Sequence, residues 1–215
     1  MALSDKQRQK KLEKKNKKRK LVKKLLDNSV RSMHKASDWC EYPIHECLMP
    51  KSIAETGIGY VIVTRKTPDG SIAVSAFVVD VYCMGVKNAL FKVAGEHEYE
   101  NTLKPRLTER SGEEIFEHVH PSCARKLVEG AVHYAKELGI APHQDYKNAK
   151  GIFGSVDAGS CAEKYVYGGN NGKPYYIRGP NESVVEAKRI VSQLKMKCGD
   201  GNFEYLLMLE DEIFE

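Results

Sequence analysis

Asp80 is the residue whose sequence surroundings most clearly suggest chemistry. It lies in the run Ile72–Cys83, which consists mostly of β-branched and other apolar residues. A carboxylate buried in such a run loses several kcal/mol of hydration unless a cation or hydrogen-bond donors meet it. Lys87 and Arg65 are nearby cationic candidates. The run therefore predicts either a catalytic carboxylate with a raised pKa or a paired aspartate that fixes a corner of the chain at Gly85.

His143 and Asp145 are the other candidates for acid–base catalysis. They lie in the segment PHQDY, just after the strongest helical pattern of the chain. Two polar groups there could form one wall of a pocket, with the strand of Asp80 lining another. In the alternative interpretation, His143 caps that helix and Asp145 caps the next one. If the three side chains share a cleft, the sequence predicts a hydrolase or nuclease that acts on RNA.

His118 and His120 have the His-x-His spacing of a metal site on a strand or loop. Glu114 and Glu117 lie upstream, and a third ligand could come from His143, His45 or Asp145. No Cys-x-x-Cys or His-Glu-x-x-His motif accompanies the pair, and the spacing is common by chance. Two surface histidines ahead of a helix are the alternative, so we predict neither a metal nor a cofactor.

Six cysteines are scattered through the chain: Cys40, Cys47, Cys83, Cys123, Cys161 and Cys198. Cys47 with His45, Cys83 with Asp80, or Cys161 could each be drawn as a nucleophile, but none lies in a nucleophile motif. The motifs GxSxG, Walker A and GxGxxG are absent. Without a signal-peptide segment, the cysteines are predicted to be reduced thiols of a cytoplasmic protein. No stretch approaches the roughly eighteen apolar residues of a membrane span.

The first 24 residues form a basic arm, with twelve of the 34 lysines and arginines of the chain and only two acidic residues. The arm carries a formal charge of about +10, whereas the 22 basic and 27 acidic residues that remain give residues 25–215 about −5. Each cation that neutralises a phosphate releases condensed counterions, which favours binding to any nucleic acid. The predicted contacts are Lys6, Arg8, Lys10, Lys11, Lys14, Lys15, Lys17, Lys18, Arg19, Lys20, Lys23 and Lys24.

The arm indicates a class of partner and no reaction. We therefore predict a non-enzymatic, RNA-associated factor that attaches to the ribosome while its domain makes a second contact. The alternatives are the RNA-directed hydrolase or nuclease and a protein–protein adaptor whose arm only improves solubility. A membrane is a weaker partner, because the arm lacks the apolar face of an interfacial helix.

Two units are predicted, the basic arm over residues 1–24 and a single α+β domain over residues 25–215. Like charges four residues apart oppose a helix in the arm until phosphates quench their repulsion. An apolar stripe at helical spacing predicts a helix over residues 20–30 that docks on the domain. Residues 39–50, which contain two prolines, are predicted to be an ordered loop.

The sheet is predicted to contain two hairpins and a C-terminal strand. Tyr60–Lys66 and Ile72–Cys83 flank an Asp-Gly turn, and the second run is apolar on both faces, as in a central strand. Tyr165–Tyr167 and Tyr175–Ile177 flank the segment GGNNGKP. Their tyrosines either pack on the sheet or offer a stacking surface for RNA bases. Residues 203–209 are predicted to be an edge strand.

Helices are predicted over Pro121–Leu138, around residues 144–152, and after Asn181, which can cap the third helix. His133 falls opposite the apolar stripe of the first helix and should face solvent. The order of elements lacks a regular β-α-β alternation. The predicted fold class is therefore α+β, with an antiparallel or mixed sheet and helices packed on one face.

Five segments together resemble a family of uncharacterised bacterial cytosolic proteins: PIHECL, GIG, VVDVYCMGVKNA, LVEGAVHYAKELGIAPHQDY and YGGNNGKPYYIRGP. The similarity spans about residues 40–208, and a basic leader often precedes the pattern in that family. Met84 stands where the family strand VDVYCLGVK has a leucine. The resemblance implies one fold unit and a bacterial cytosolic setting. It implies no activity, cofactor or catalytic residue.

Overall fold

The structure is a computed structural model that describes residues 35–109, 115–169, 171–179 and 182–207. The predicted arm, the docked helix over residues 20–30 and the boundary at residue 25 lie outside these ranges. The unit of the chain that begins at Ala36 contains the fold described below. Among the described helices, none combines the length and the apolar character that crossing a bilayer requires.

A five-stranded antiparallel sheet forms the centre of the domain, in the order β4-β3-β2-β1-β5. Its strands are β1 (Ile44–Pro50), β2 (Ile58–Lys66), β3 (Ser71–Asp80), β4 (Gly85–Gly95) and β5 (Phe116–His118). Every neighbouring pair runs antiparallel. Helices pack on this sheet, so the predicted α+β fold class is confirmed.

The hairpin of β2 and β3 forms where the sequence predicts it. Lys66 pairs with Ile72 across the turn that contains Asp69 and Gly70. Gly70 has a φ of 83°, a conformation that glycine adopts without steric cost. Nearly all of β3 is buried between β2 and β4, so the prediction of a central strand is also confirmed.

Three strands of the sheet, β1, β4 and β5, were not predicted. Residues 44–50 form β1 instead of a loop, because Pro43 precedes the strand and Pro50 is its last residue, so neither proline interrupts the ladder. In β4, the register shifts at a bulge, since Val78 pairs with Asn88 but Val79 pairs with Val86. The extra residue breaks the alternation of two that identifies a strand in sequence.

The prediction of a second hairpin is wrong. Instead, β6 (Tyr175–Ile177) pairs in parallel with β7 (Glu204–Leu206) in a separate two-stranded sheet, and residues 165–167 form no strand. The C-terminal strand therefore lies outside the main sheet. The reason is visible in the backbone hydrogen bonds, because Gly168 donates to the carbonyl of Val81 and Tyr175 donates to the carbonyl of Tyr82. Both ends of the glycine-rich segment thus bind the β3–β4 turn, while Gly169 donates to the carbonyl of Lys173 within the segment.

The α-helices are α1 (Ile53–Thr56), α2 (Glu96–Glu98), α3 (Lys104–Glu109), α4 (Pro121–Glu137), α5 (Tyr146–Ala149) and α6 (Val184–Cys198). A π-helix, Tyr99–Leu103, joins α2 to α3, and 3-10 helices cover Ala36–Trp39, Lys150–Phe153 and Ala158–Ser160. The helices predicted over residues 121–138 and around residues 144–152 are confirmed, and His133 on α4 is exposed as predicted.

The cap of α6 differs from the prediction. Ser183 caps this helix, and its hydroxyl and the Glu186 carboxylate form a reciprocal capping box. Asn181, the predicted cap, lies outside the described residues.

Helical segments cover both faces of the sheet, not one as predicted. On one face, α4 and the 3-10 helix Lys150–Phe153 bury an apolar core in which Phe77 stacks on Phe153. On the other face, Tyr99 and Leu107 pack against Ile62 and Val74. Each such side chain contributes about 1.5–3 kcal/mol through burial. The sheet is thus the middle of three layers.

Candidate functional site

Asp80 ends β3, where the chain turns into β4. Its carboxylate accepts hydrogen bonds from the backbone N–H groups of Tyr82 at 3.0 Å and Cys83 at 2.9 Å. The residue is only 5% exposed. Burial raises the pKa of Asp80 to about 6, against the opposing effects of the Lys87 charge and of these N–H groups. The carboxylate therefore closes the β3–β4 turn.

Arg65, the other predicted partner of Asp80, lies at the opposite end of the hairpin. It pairs with Ala73, whereas Asp80 pairs with Ile58 seven positions further along β2, about 23 Å away at the rise of a strand. The Arg65 guanidinium donates instead to three backbone carbonyls, those of Tyr42, Ile152 and Phe153. The structure thus assigns Lys87, not Arg65, as the cation near Asp80.

His143 and Asp145 form a local pair between α4 and α5. The His143 Nδ1 atom lies 3.8 Å from the Asp145 carboxylate and accepts the Asp145 backbone N–H at 3.3 Å. The His143 backbone N–H donates to the carbonyl of Val86. Both side chains are about 30% exposed. The groups that interact with the Asp80 carboxylate come from residues 82–84 and Lys87. The hydrogen bonds of the described chain therefore do not join Asp80, His143 and Asp145 into one site.

His118 and His120 also lie in different surroundings. His120 occupies the N-cap position of α4, where its Nδ1 atom is 2.6 Å from the Ser122 hydroxyl and accepts the Ser122 N–H. His118 lies on β5, with its Nδ1 atom 3.9 Å from the buried carboxylate of Glu46. Glu114 lies outside the described residues. The structure gives His120 the role of a helix cap.

Glu46 is a buried carboxylate that the sequence analysis missed. It lies on β1 and is 6% exposed. It accepts hydrogen bonds from the hydroxyl of the fully buried Tyr99 and from the Lys104 ammonium at 2.9 Å. Burial and this hydrogen bond raise the pKa of Tyr99. The π-helix brings Tyr99 and Lys104 to the same carboxylate, an arrangement that no local sequence pattern indicates.

Donor atoms of His45, Glu46 and Glu100 lie within 4.8 Å of one another, a spacing that could hold a metal ion. However, the Lys104 ammonium is 2.9 Å from Glu46 and 3.4 Å from Glu100. A metal would have to displace this ammonium from both carboxylates. The cluster is therefore an ion-pair network whose cation is Lys104.

A cleft of about 720 Å³ opens beside β5, within the range of about 300–1,000 Å³ typical of ligand pockets. Buried apolar residues line it: Met49, Ile53, Val81 and Leu127. Residues 117–120 border the cleft, and residues 163–166 also line it. Its charged side chains are Lys51, Glu117, Glu163 and Lys164. The lining includes His118 and His120 but not Asp80, His143 or Asp145.

Four tyrosines were predicted to pack or to stack on RNA bases: Tyr165, Tyr167, Tyr175 and Tyr176. Tyr167 stacks on Tyr134, and Tyr175 stacks on Tyr82. Tyr176 is fully buried. Tyr165 lines the cleft and packs partly against the core. The packing interpretation therefore describes all four rings, and Tyr165 also faces the cleft.

Cys123 and Cys161 form a disulfide between α4 and the segment that leads into the cleft wall. The prediction of reduced thiols is wrong for this pair. The other cysteines in the described part of the chain are free, and Cys47 and Cys83 are buried. Burial raises the pKa of the Cys47 thiol to about 12 and also raises that of Cys83. A raised pKa suppresses the thiolate that a nucleophile needs.

Comparison with known proteins adds no assignment to this geometry. No protein-family model, curated protein or solved structure matches the chain. The resemblance to a bacterial cytosolic family therefore stays a prediction, and function has to be argued from the residues themselves.

Proposed function

We propose that this protein is a non-enzymatic factor that attaches to RNA, on the ribosome, through its basic arm. The observation that carries the proposal is the density of charge, twelve cations against two anions in 24 residues. The arm lies outside the described residues, so the proposal rests on its sequence. Counterion release from RNA supplies a driving force that requires no particular base sequence.

The charges of the domain also support attachment to RNA through the arm. The domain carries a net charge of about −5, which disfavours contact with phosphates. Its half-buried cations have partners inside the fold, as in the Lys104–Glu46 pair and the Lys87–Glu182 pair at 2.6 Å. Phosphate binding is then left to the arm, and the domain is available for a second contact.

A cytoplasmic, bacterial setting is part of this proposal, since ribosomes lie there. The Cys123–Cys161 disulfide counts against that setting, because cytoplasmic thiols are usually kept reduced. Trapping of free thiols in intact cells, followed by mass spectrometry, measures which state this pair adopts.

An RNA-directed hydrolase is the second candidate, favoured by one observation. Burial raises the pKa of Asp80 to about 6, which is close to the range of a general acid–base catalyst. This alternative requires Asp80, His143 and Asp145 to share the proton transfers, and the hydrogen bonds of the described residues count against it because they do not join the three. Cleavage of labelled RNA that both Asp80→Asn and His143→Ala abolish, while the variants remain folded, would favour the hydrolase over the binding factor.

Purification from cell lysate tests the leading proposal. The full chain is compared with two variants that each lose four cations to glutamine. One changes Lys14, Lys15, Lys17 and Lys18 of the arm, and the matched control changes the exposed cations Lys188, Arg189, Lys195 and Lys197 of α6.

We expect ribosomal RNA to copurify at low salt with the full chain and the α6 variant, and far less with the arm variant. Equal RNA recovery by all three proteins would contradict the proposal. Recovery of proteins without RNA would favour the adaptor alternative.

A further inference from the structure

Among the described residues, some backbone hydrogen-bonding groups of β5 have no partner. Val119 donates to the carbonyl of Cys47, and Lys51 donates to the carbonyl of Ile115, so odd-numbered residues of this segment bond to β1. In an antiparallel ladder, alternate residues point the other way. The N–H and C=O groups of Phe116 and His118 therefore point away from β1, and β5 pairs with β1 alone within the described chain.

The cleft reaches this edge at residues 117–120. Glu117 and His118 are consecutive strand residues, so their side chains project from opposite faces of the sheet, yet both border the cleft. Residues 163–166 line the same cleft. Among described residues, the backbone groups of residues 162–166 make no backbone–backbone hydrogen bond. Two segments with unused backbone groups thus border one cleft.

We propose that this cleft binds an extended peptide, which adds to β5 as a sixth strand of the sheet. Exposed edges bind peptides in this way because the main-chain hydrogen bonds supply affinity and the pockets for alternate side chains supply specificity. The inference goes beyond RNA attachment, since it gives the domain a protein partner of its own.

The charges of the cleft specify the peptide. Burial raises the pKa of the Tyr165 hydroxyl, and the nearby carboxylates of Glu163 and Glu117 raise it further. Lys51 forms an ion pair with Glu117 at 3.9 Å and Lys164 also lines the cleft, but the charges that act on Tyr165 are those of the two glutamates. A lysine or arginine of the peptide that faces these two carboxylates is favoured. Its neighbours two positions away on the same face meet the apolar lining of the cleft. The partner is therefore an extended segment with a cation between apolar residues at alternate positions.

A nucleic acid or a second copy of this chain suits the cleft less well. Beside Tyr165 the carboxylates of Glu117 and Glu163 repel phosphates. The Tyr82 ring already stacks on Tyr175, and its hydroxyl donates to the carbonyl of Glu55. A second β5 strand paired antiparallel about Glu117 would set two like charges directly opposite each other, which is destabilising.

His118 allows a matched test of strand addition in the full chain. His118→Pro removes the outward N–H and the imidazole but leaves the bonds to β1 intact, since proline is tolerated at the free side of an edge strand. His118→Val removes the imidazole and keeps the N–H. Any difference between the two variants in peptide affinity reports on the backbone hydrogen bond.

The probe is a fluorescein-labelled peptide of about nine residues. Threonine occupies every second position, and the positions between the threonines carry valine, lysine and valine in that order. Its controls replace the lysine by glutamate or methylate alternate backbone nitrogens. Fluorescence anisotropy is measured with the full chain, both His118 variants and the four-cation arm variant.

We expect the lysine peptide to bind the full chain, the His118→Val variant and the arm variant alike. Binding should weaken at least about tenfold with His118→Pro, with the methylated peptide and with the glutamate peptide. Hydrogen exchange on the unmodified chain gives a readout free of substitutions, because bound peptide should protect the N–H groups of Phe116 and His118.

Several outcomes overturn the proposal. The lysine peptide would fail to bind up to about 1 mM. The Pro and Val variants would bind it with equal affinity. Bound peptide would add no protection from hydrogen exchange at residues 116 and 118. Displacement of the peptide by oligouridylate from the arm variant would make the cleft a nucleic-acid site. Sedimentation that shows a dimer lost in His118→Pro would assign the edge to a second copy. These outcomes do not decide the proposal of RNA attachment, because peptide binding does not need the arm.

Discussion

The basic arm and the domain use charge in opposite ways. The arm has twelve cations and two anions, so it cannot neutralise itself. In the domain, buried charges are met inside the fold, as with Glu46 and Lys104 or with Arg65 and its three carbonyls. Charges that are paired internally support stability, whereas an excess of one sign attracts an outside polymer. Substitutions in the two regions should therefore have separable effects.

The largest expected effect is on RNA affinity. Replacing Lys14, Lys15, Lys17 and Lys18 by glutamine should weaken binding roughly 10² to 10³-fold near physiological salt, because about four phosphate contacts are lost. The melting temperature should not change. The α6 variant with four substituted cations should bind RNA like the unmodified chain. An α6 variant that loses as much affinity as the arm variant would break the comparison.

The next effect concerns stability alone. Lys104→Met leaves the buried Glu46 carboxylate without its cation and should lower the free energy of unfolding by about 3 kcal/mol. Lys92→Met is the matched control, because Lys92 pairs with Glu98 on the surface at 2.5 Å and such pairs contribute less than about 1 kcal/mol. Urea unfolding measures both variants. Equal losses would show that Glu46 is not the critical buried charge, and RNA affinity should stay constant throughout.

Asp80 should show a smaller effect that depends on the replacement. Asp80→Ala leaves the N–H groups of Tyr82 and Cys83 without an acceptor and should cost about 2 kcal/mol. Asp80→Asn keeps an acceptor oxygen and should cost about 1 kcal/mol or less. Urea unfolding of both variants measures the two costs. If the asparagine variant is as unstable as the alanine variant, hydrogen bonding to the β3–β4 turn is not the role of this residue.

The smallest expected effect is a pH dependence. The pKa of Asp80 is raised to about 6 in the folded chain, from an ordinary value of 3.8, so the folded state binds this proton more tightly than the unfolded state. Stability from this group therefore increases as pH falls through 6 and is lost as pH rises. Between about pH 7 and pH 5 the unmodified chain should gain about 1 kcal/mol relative to Asp80→Asn. Parallel pH curves for the two proteins would contradict the raised pKa.

Local signals predicted part of this fold correctly. The Asp-Gly turn identified the β2–β3 hairpin, and the apolar spacing identified α4, because both depend on residues that are neighbours in sequence. The strand β1 was missed because Pro43 and Pro50 indicate a loop. The β6–β7 pair depends on distant partners instead. Residues 168 and 175 bond to the β3–β4 turn, which lies more than 80 residues earlier in the chain, and no local pattern encodes that choice.

The same limit applies to the candidate sites. Burial of Asp80 and its association with Lys87 followed from an apolar strand with a nearby cation, and both are seen. The cleft was not predicted, because β5 and residues 163–166 come together only through the tertiary fold. The Glu46 site was also missed, since the π-helix that brings Tyr99 and Lys104 to it has no sequence signature.

The salt dependence of RNA binding by the full chain tests the central claim most directly. If the arm neutralises about six to ten phosphates, the plot of log affinity against log salt should have a slope of about −5 to −9. Affinity should then fall roughly 10³ to 10⁵-fold between 50 and 200 mM salt. A slope shallower than about −2, or an equal slope after loss of the four arm cations, would contradict attachment through the arm.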